Sequence, residues 1–324
     1  TALKDHAAAL GIPNFYIFGE AYHTEPAPLA RHTRVDGFPY VLDFGFQSAL
    51  TQVIAGGAPT TTLERLFAAD ALYEGGEETT RNLPIFTGNH DMGRFAMMIR
   101  RDNPDLTGEA VQQRLLAAHA AMFYLRGAPV IYYGDEQGFT GDGNDQAARE
   151  DMFESRVESY NDNLLLGTTA TTADDNFNTS HPVYKALARM AAVTAAHPVL
   201  RSGAQVPVLS DHLDSGLFVV SRRASSTSGI PSTSGVSGAS GTANSAGTAT
   251  ESENGSEFGG EYIVAFNFSD KPQSTFIATD PRSRQWASVD GKCPVHSAAP
   301  ASLSLDIPAW GVVVCKSNNW KHER

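Results

Sequence analysis

The chain holds 324 residues, 41% of them hydrophobic, and carries a formal net charge of -12. That length and apolar content suit about two globular domains with real cores; the acidic balance, with no Lys/Arg cluster interleaved with aromatics, argues against a nucleic acid partner and for neutral or cationic ligands. No apolar run approaches the ~20 residues that cross a bilayer, so no membrane partner is expected. Thr1 does not open a charged-then-apolar leader, so the chain is expected to start inside a domain or after removal of a targeting segment.

In chain order, Leu3 to Leu10 is Ala-rich and helical in pattern, with Gly11 and Pro13 as stops. A strand is predicted at Phe15 to Phe18, its run FYIFGE ending in Gly19 and Glu20. A polar loop with Pro26 and Pro28 leads to a strand at Pro39 to Phe44 (PYVLDF), then to a helix over about Gln47 to Ile54 closed by Gly56 and Gly57. A helical segment from Leu63 to Leu72 follows. Leu83 to Phe86 reads as a buried strand that ends abruptly in Gly88, Asn89, His90 and Asp91. The pattern then repeats: a helix from Gly108 to Leu125, Gly127 as its stop, and an apolar strand at Pro129 to Tyr132. A loop rich in Gly and Asp runs from Gly134 to Asp151, and a helix at Pro182 to Ala195 precedes Pro198.

Near-continuous apolar strands alternating with helices predict a parallel sheet covered by helices. Four such units make half of an eightfold α/β barrel, so the fold class expected for residues 1–197 is the C-terminal half of a (β/α)8 TIM barrel. From about Val199 the pattern turns all-β, with strands at Leu217 to Ser221, Tyr262 to Phe268, Ser274 to Ala278 and Gly311 to Lys316. An antiparallel β-sandwich over 198–324 is predicted. Within it, the Ser/Gly/Thr/Ala tract at about 224–260 cannot offset its ordering entropy and is expected to be disordered. Because LFVVS before it matches YIVAFNF after it, the tract is read as a long hairpin loop rather than an interdomain linker. Cys293 and Cys315 exclude a disulfide framework and fit either one bridge or two buried thiols. The compartment stays open, a secreted or periplasmic one being preferred.

Glu20 and Asp91 each follow the end of a predicted strand. In a parallel barrel that rim carries the active site, so the two carboxylates are expected to face one pocket. Glycosidic bond cleavage needs an acid to protonate the leaving oxygen and carboxylates to offset an oxocarbenium-like charge. Phe15, Phe18 and the neighbouring carboxylate are expected to keep Glu20 protonated, while Asp91, between Asn89 and His90, stays ionised.

FYIFGE, VLDF, FTGNHD and GAPVIYYGDEQGFTGDG, in this order, resemble the second half of the catalytic barrel of the α-amylase family of retaining glycoside hydrolases, and IPAWGVVVCK resembles the last strand of that family's C-terminal sandwich. The resemblance covers nearly the whole chain except the Ser/Gly tract. It implies that Glu20 is the general acid/base, that Asp91 stabilises the transition state by holding sugar hydroxyls, and that His90 hydrogen-bonds the sugar beside it. Phe15 to Glu20 would then be the fifth barrel strand, Leu83 to Phe86 the seventh and Pro129 to Tyr132 the eighth. The family's nucleophilic Asp, its companion Arg and an Asn-His pair lie on earlier strands, and nothing before Phe15 matches them. Neither Asp36, in a loop, nor Asp43, read as structural, replaces the nucleophile.

The expected partners are therefore an α-glucan or oligosaccharide and the missing N-terminal half of the barrel. Asn89 and Phe139 are added to His90 as candidate sugar contacts; His23 and His32 read as solvated loop residues. No cofactor is required. Asp142, Asn144 and Asp145 have the oxygen-rich composition of a calcium loop, although such loops are commonly turns. Arg149 and Asp151 are expected to pair. The alternative to an enzyme of α-linked glucans, hydrolysing or transferring them, is a non-catalytic glycan-binding or scaffold module with the same fold.

Overall fold

The computed structural model describes residues 2–224 and 260–318. The Ser/Gly tract thus lies almost wholly outside the described residues. Up to Ser202 the chain is mainly helical: α1 (Ala2–Ala9), α2 (Pro26–Arg34), α3 (Phe44–Leu50), α4 (Thr61–Ala68), α5 (Glu77–Thr80), α6 (Phe95–Asp102), α7 (Gly108–Tyr124), α8 (Glu158–Asn161), α9 (Pro182–Ala196) and α10 (Val199–Ser202). None of the described helices is long and apolar enough to cross a membrane.

Helix α2 replaces the expected polar loop. Pro26 stands in its first turn, where proline's fixed φ suits a helix and its missing N–H leaves no bond unmade. Helix α3 starts where the Asp43 carboxylate accepts the Phe46 amide at 2.9 Å, a cap that satisfies one of the free amides of the first turn. It buries Phe44, Phe46, Ala49 and Leu50 and runs on into a π-helical turn, Thr51–Ala55, which ends at Gly56 and Gly57.

The strands expected around Glu20, Asp43, Asp91 and Tyr132 are shorter than the sequence pattern suggests. Gly19 and Val41 form a single parallel bridge, the Asp43 amide donates to the Pro84 carbonyl at 2.9 Å, and β1 (Pro84–Ile85) pairs in parallel with β2 (Ala128–Pro129). These segments lie side by side in the order of the sequence. Prolines 39, 84 and 129 withhold ladder donors. Phe15, Tyr16 and Phe18 remain 45%, 44% and 46% exposed.

From Ala204 the chain is antiparallel β. Among the described residues, β3 (Ala204–Ser210), β4 (Leu217–Arg223), β5 (Tyr262–Asn267), β9 (Val312–Ser317) and β7 (Trp286–Asp290) form one sheet in that spatial order. Strands β6 (Gln273–Ala278) and β8 (Ser302–Ile307) pair separately. The hairpin reading of LFVVS and YIVAFNF is the observed pairing, with Leu217 opposite Asn267 and Arg222 opposite Tyr262. Alternation along β4, β5 and β9 sends side chains to two cores. Leu217, Val219, Ile263, Ala265 and Val313 pack with Leu303, Leu305 and Ile307 of β8, whereas Phe218, Val220, Val264, Phe266 and Val314 join the cluster built by α3, α6 and α7. A sheet covered on both faces needs apolar residues at every position, which explains the unbroken runs LFVV, YIVAF and VVVC. Cys293 and Cys315 are joined in a disulfide.

Under β1 and β2 lies the fully buried Arg126. Its guanidinium donates to Asp43 at 2.5 Å and to Asp70 at 2.7 to 3.1 Å, and its amide donates to Gln205 of β3 at 2.8 Å. Burial pushes the Asp70 carboxyl upward while Arg126 pulls it back. Replacing Arg126 by Met leaves both aspartates buried without a counter-charge, and the expected loss of stability is about 3–5 kcal/mol. Urea unfolding with an unchanged slope measures it, and a loss below about 1 kcal/mol would show that the aspartates do not depend on Arg126.

Candidate active site

Glu20 directly follows Gly19, which is tied to the next segment by both its groups: its amide donates to Tyr40 O at 2.9 Å and its carbonyl accepts the Leu42 amide at 3.0 Å. A Cβ on Gly19 would come within 2.8 Å of the Phe38 ring, so a larger residue would push this segment off its neighbour. Asp91 sits in a tight turn closed by two backbone hydrogen bonds between Asn89 and Gly93, at 3.2 and 3.1 Å. The Asn89 side-chain oxygen accepts the amides of Asp91 and Met92 at 2.9 and 2.8 Å, an Asx turn that fixes how Asp91 leaves the strand end. Gly93 takes φ +93°, in the region that favours glycine.

Glu20 and Asp91 line one cavity of about 780 Å³, together with Asn89, Tyr22, Phe44 and Gln47. Both carboxylates are open to solvent: Glu20 is exposed and the Asp91 side chain is 54% exposed. The apolar cover expected from Phe15 and Phe18 is not built, because those rings are themselves half exposed. His90 stands on the rim with Nε2 3.4 Å from Asp91 Oδ1 and does not line the cavity. Arg149 Nη2 approaches the same Asp91 oxygen at 3.6 Å.

Three expectations need correction. Phe139 is not a sugar contact: it is 1% exposed, folded under the Gly134 turn, where a Cβ would meet its ring at 2.5 Å. The glycines that suggested an open loop instead let the backbone turn back over the ring. Arg149 pairs with Asp145 at 2.6 Å rather than with Asp151, whose carboxylate accepts the Ser155 hydroxyl at 2.9 Å. His32, finally, is held by Asp36 at 2.7 Å and stacks on His23 at 5.8 Å. Among the described residues no three His, Cys, Asp or Glu side chains are grouped so as to hold a metal ion, and the Asp145 carboxylate is engaged by Arg149.

Sequence reading passed over Arg94, which is wholly buried behind the turn. It is ion-paired with Glu150, donates to Asp135 at 3.1 Å and to Tyr133 O at 2.8 Å, and lies 4.6 Å over the Tyr132 ring. Burial alone would weaken the Arg94 cation, but Asp135 and Glu150 more than offset it. Burial pushes the Asp135 carboxyl up to about 7 against the pull of Arg94. His119, its Nδ1 2.9 Å from Leu115 O, is driven toward the neutral form by burial. The signal for Arg94 was an Arg three residues after Asp91 facing a loop with surplus acids, which single-site motif reading does not weigh.

The family model for the α-amylase catalytic domain matches residues 2–201. An α-amylase of Streptomyces lividans is 32% identical over 318 residues, 98% of this chain and 31% of that protein. A cyclomaltodextrin glucanotransferase of Paenibacillus macerans is 24% identical over 190 residues, 59% of this chain and 21% of that one. The solved structure of an Anoxybacillus α-amylase superposes with a TM-score of 0.68 at 16% identity, over 97% of this chain and 54% of that one, a likeness of fold. Short parallel strand segments among helices bring two carboxylates into one cavity, and by the family match and the Streptomyces relative the chain belongs to the α-amylase family of glycoside hydrolases. It spans about a third of the Streptomyces protein's length.

The buried His119 makes a prediction about acid. Its folded-state pKa is lowered, so below the ordinary value of about 6.5 the unfolded chain takes up a proton that the folded chain refuses. The stability this residue contributes is thus complete above about pH 6.5 and falls as pH drops. The stability gap between the wild type and His119→Gln should narrow below that pH by up to about 1.4 kcal/mol per unit. Urea midpoints from pH 7.5 to 5 read it; a constant gap would show that His119 titrates alike folded and unfolded.

Proposed function

We propose that this chain supplies the general acid/base, Glu20, and the transition-state stabiliser, Asp91, of a retaining enzyme that hydrolyses or transfers α-linked glucosyl units. The observation that carries the reading is the shared cavity: two carboxylates from different strand ends, open to a sugar, with His90 beside the second. In the proposed cycle Glu20 protonates the leaving glycosidic oxygen while a nucleophilic carboxylate attacks the anomeric carbon. Glu20 then takes a proton from water, or from an acceptor sugar hydroxyl, as that oxygen bonds to the anomeric carbon and the nucleophilic carboxylate leaves, freeing the sugar from the glycosyl-enzyme. Asp91 and His90 hold ring hydroxyls as positive charge develops. Asn89 contributes its remaining amide hydrogens, since its oxygen is used in the turn. Carboxylates carry every proton and charge in this scheme, so it calls for no cofactor.

The nucleophile is proposed to lie outside these residues. Asp43 is buried against Arg126 and caps α3, so it is committed elsewhere. A barrel half supplied by other residues fits the parallel segments, whose outer members leave Phe15, Tyr16, Phe18, Val130 and Tyr133 between 42% and 46% exposed. It also fits the short share of the relatives that the chain spans. In this reading residues 1–197 are the catalytic half-barrel and 198–324 the sandwich domain, and the partner surfaces are an α-glucan and the first half of the barrel. The glucanotransferase likeness favours keeping transfer beside hydrolysis. The Cys293–Cys315 bridge supports an oxidising, exported setting.

Two outcomes are expected. The 324-residue chain alone cleaves no α-glucan, and adding the upstream barrel half, joined or separate, restores activity with one cooperative melt; cleavage by the chain unaided would overturn the assignment of the nucleophile elsewhere. In the complete enzyme, Glu20→Gln lowers turnover of a poor-leaving-group substrate by roughly 100 to 10,000-fold. An activated aryl glycoside should lose much less in the glycosylation step, and equal losses would remove Glu20 from the acid role.

A further inference from the structure

The turn that carries Asp91 is closed by its own hydrogen bonds and is also held from outside. His90 and Asp91 point outward with side chains 55% and 54% exposed, and the turn is only the loop between the bridged Asn89 and Gly93. What fastens it to the rest of the molecule lies one residue on and one loop away. Arg94, next to Gly93, has no exposed surface and is gripped from three directions by Glu150, Asp135 and the Tyr133 carbonyl. The other Glu150 oxygen accepts the Gly141 amide at 3.0 Å, so the Gly141–Glu150 loop is fastened to Arg94 by one carboxylate. The loop backbone then lies directly on the turn: a Cβ on Gly93 would come within 2.6 Å of the Gly143 carbonyl oxygen. Arg149 precedes Glu150 and points the opposite way, out to Asp91 at 3.6 Å and Asp145 at 2.6 Å. Neighbouring residues thus hold the root and the tip of the same turn.

We propose that Glu150, through Arg94, and Arg149 directly, are positioning residues that set the place of Asp91 in the cavity, the Gly/Asp loop acting as a clamp on the Asp91 turn. A buried ion pair is a poor way to gain stability, since an apolar pair of the same volume does as well. A planar guanidinium with three fixed acceptors instead permits one orientation. That matters for Asp91 because a displacement of about 1 Å at a reacting group can cost on the order of 100-fold in rate. The inference rests on the proposed role of Asp91.

The test is a double-mutant cycle in the complete enzyme, with Glu150→Gln, Asp91→Asn and both together, scored as kcat and KM on a maltooligosaccharide. Glu150→Gln should lower kcat roughly 10 to 100-fold with KM changed less than about threefold, and should lower it no further once Asp91 is Asn. A role only in stability would act equally in both backgrounds, and that result overturns the proposal. If Glu150→Gln does not fold, Arg149→Met takes its place, since that side chain is 39% exposed; its several-fold loss of kcat should likewise vanish in the Asp91→Asn background. A second reading uses the complete enzyme without any substrate. Amide exchange at Asn89 and Gly93 should speed up at least 10-fold in Glu150→Gln while the amides of α7 hold, and unchanged exchange in the turn would overturn the clamp. Full turnover in Asp91→Asn alone would instead overturn the role given to Asp91, and the exchange measurement then decides the clamp by itself.

Discussion

The Arg126 guanidinium is the point from which the rest of the molecule is held. It faces Asp43 and Asp70 in a site from which water is excluded. The charge cannot be left unmatched there, so the positions of its partners are strict. Asp43 is at once its partner and the cap of α3, and Phe44 and Gln47 of that helix line the cavity. Asp70 fixes the turn after α4. The Arg126 amide and the Arg222 guanidinium share the Gln205 side-chain oxygen, at 2.8 and 3.1 Å, so the same node reaches the β3–β4 edge of the antiparallel sheet.

Helix α7 completes the connection between the two halves. From Leu115 onward it is largely apolar because it is covered: α6 and α9 flank it, and β2 and β5 pack against it. Its last residue, Tyr124, donates its hydroxyl to Asp290 of β7 at 2.6 Å, and Arg189 of α9 pairs with the same aspartate. The large apolar cluster therefore runs without a break from α3 to β9. Position 197 falls between a mainly helical region and a β region that share this cluster, while a second cluster with Ile263, Leu303, Leu305 and Ile307 lies wholly within the β region. The five-strand sheet spends one face on the helices and the other on a core of its own.

Much of this was legible in the sequence, for physical reasons that differ between elements. Helices α7 and α9 had length and stop signals, and the all-apolar strands could be read as buried whatever covered them. The match of LFVVS with YIVAFNF gave their pairing across a long insertion. Pro26 and Pro28, both within α2, misled, because proline marks a loop and a helix start with the same letter. β3, β7 and β8 were missed: each has alternating or mixed burial and few β-branched runs to mark it. At the site, carboxylates at strand ends were legible, and Glu20 and Asp91 do share a cavity. What could not be read were contacts between loops: Arg149 beside Asp91, or Arg94 against Glu150, are set by tertiary approach. Phe139 failed for the same reason, since an aromatic among glycines reads as exposed until the turn closes over it.

The β4–β5 pairing has one more consequence. Register between the strands is fixed by their two buried faces and by Arg222 reaching Gly203 and Tyr124, so it does not depend on the length of chain that joins them. The closing entropy of such a joint changes by only about 0.6 kcal/mol for each doubling of its length. The interval between Arg223 and Gly260 is therefore a natural port. A lineage, or an engineer, could mount a cargo there, from a spacer to an entire folded module with nearby termini, while the core beneath it registers no change.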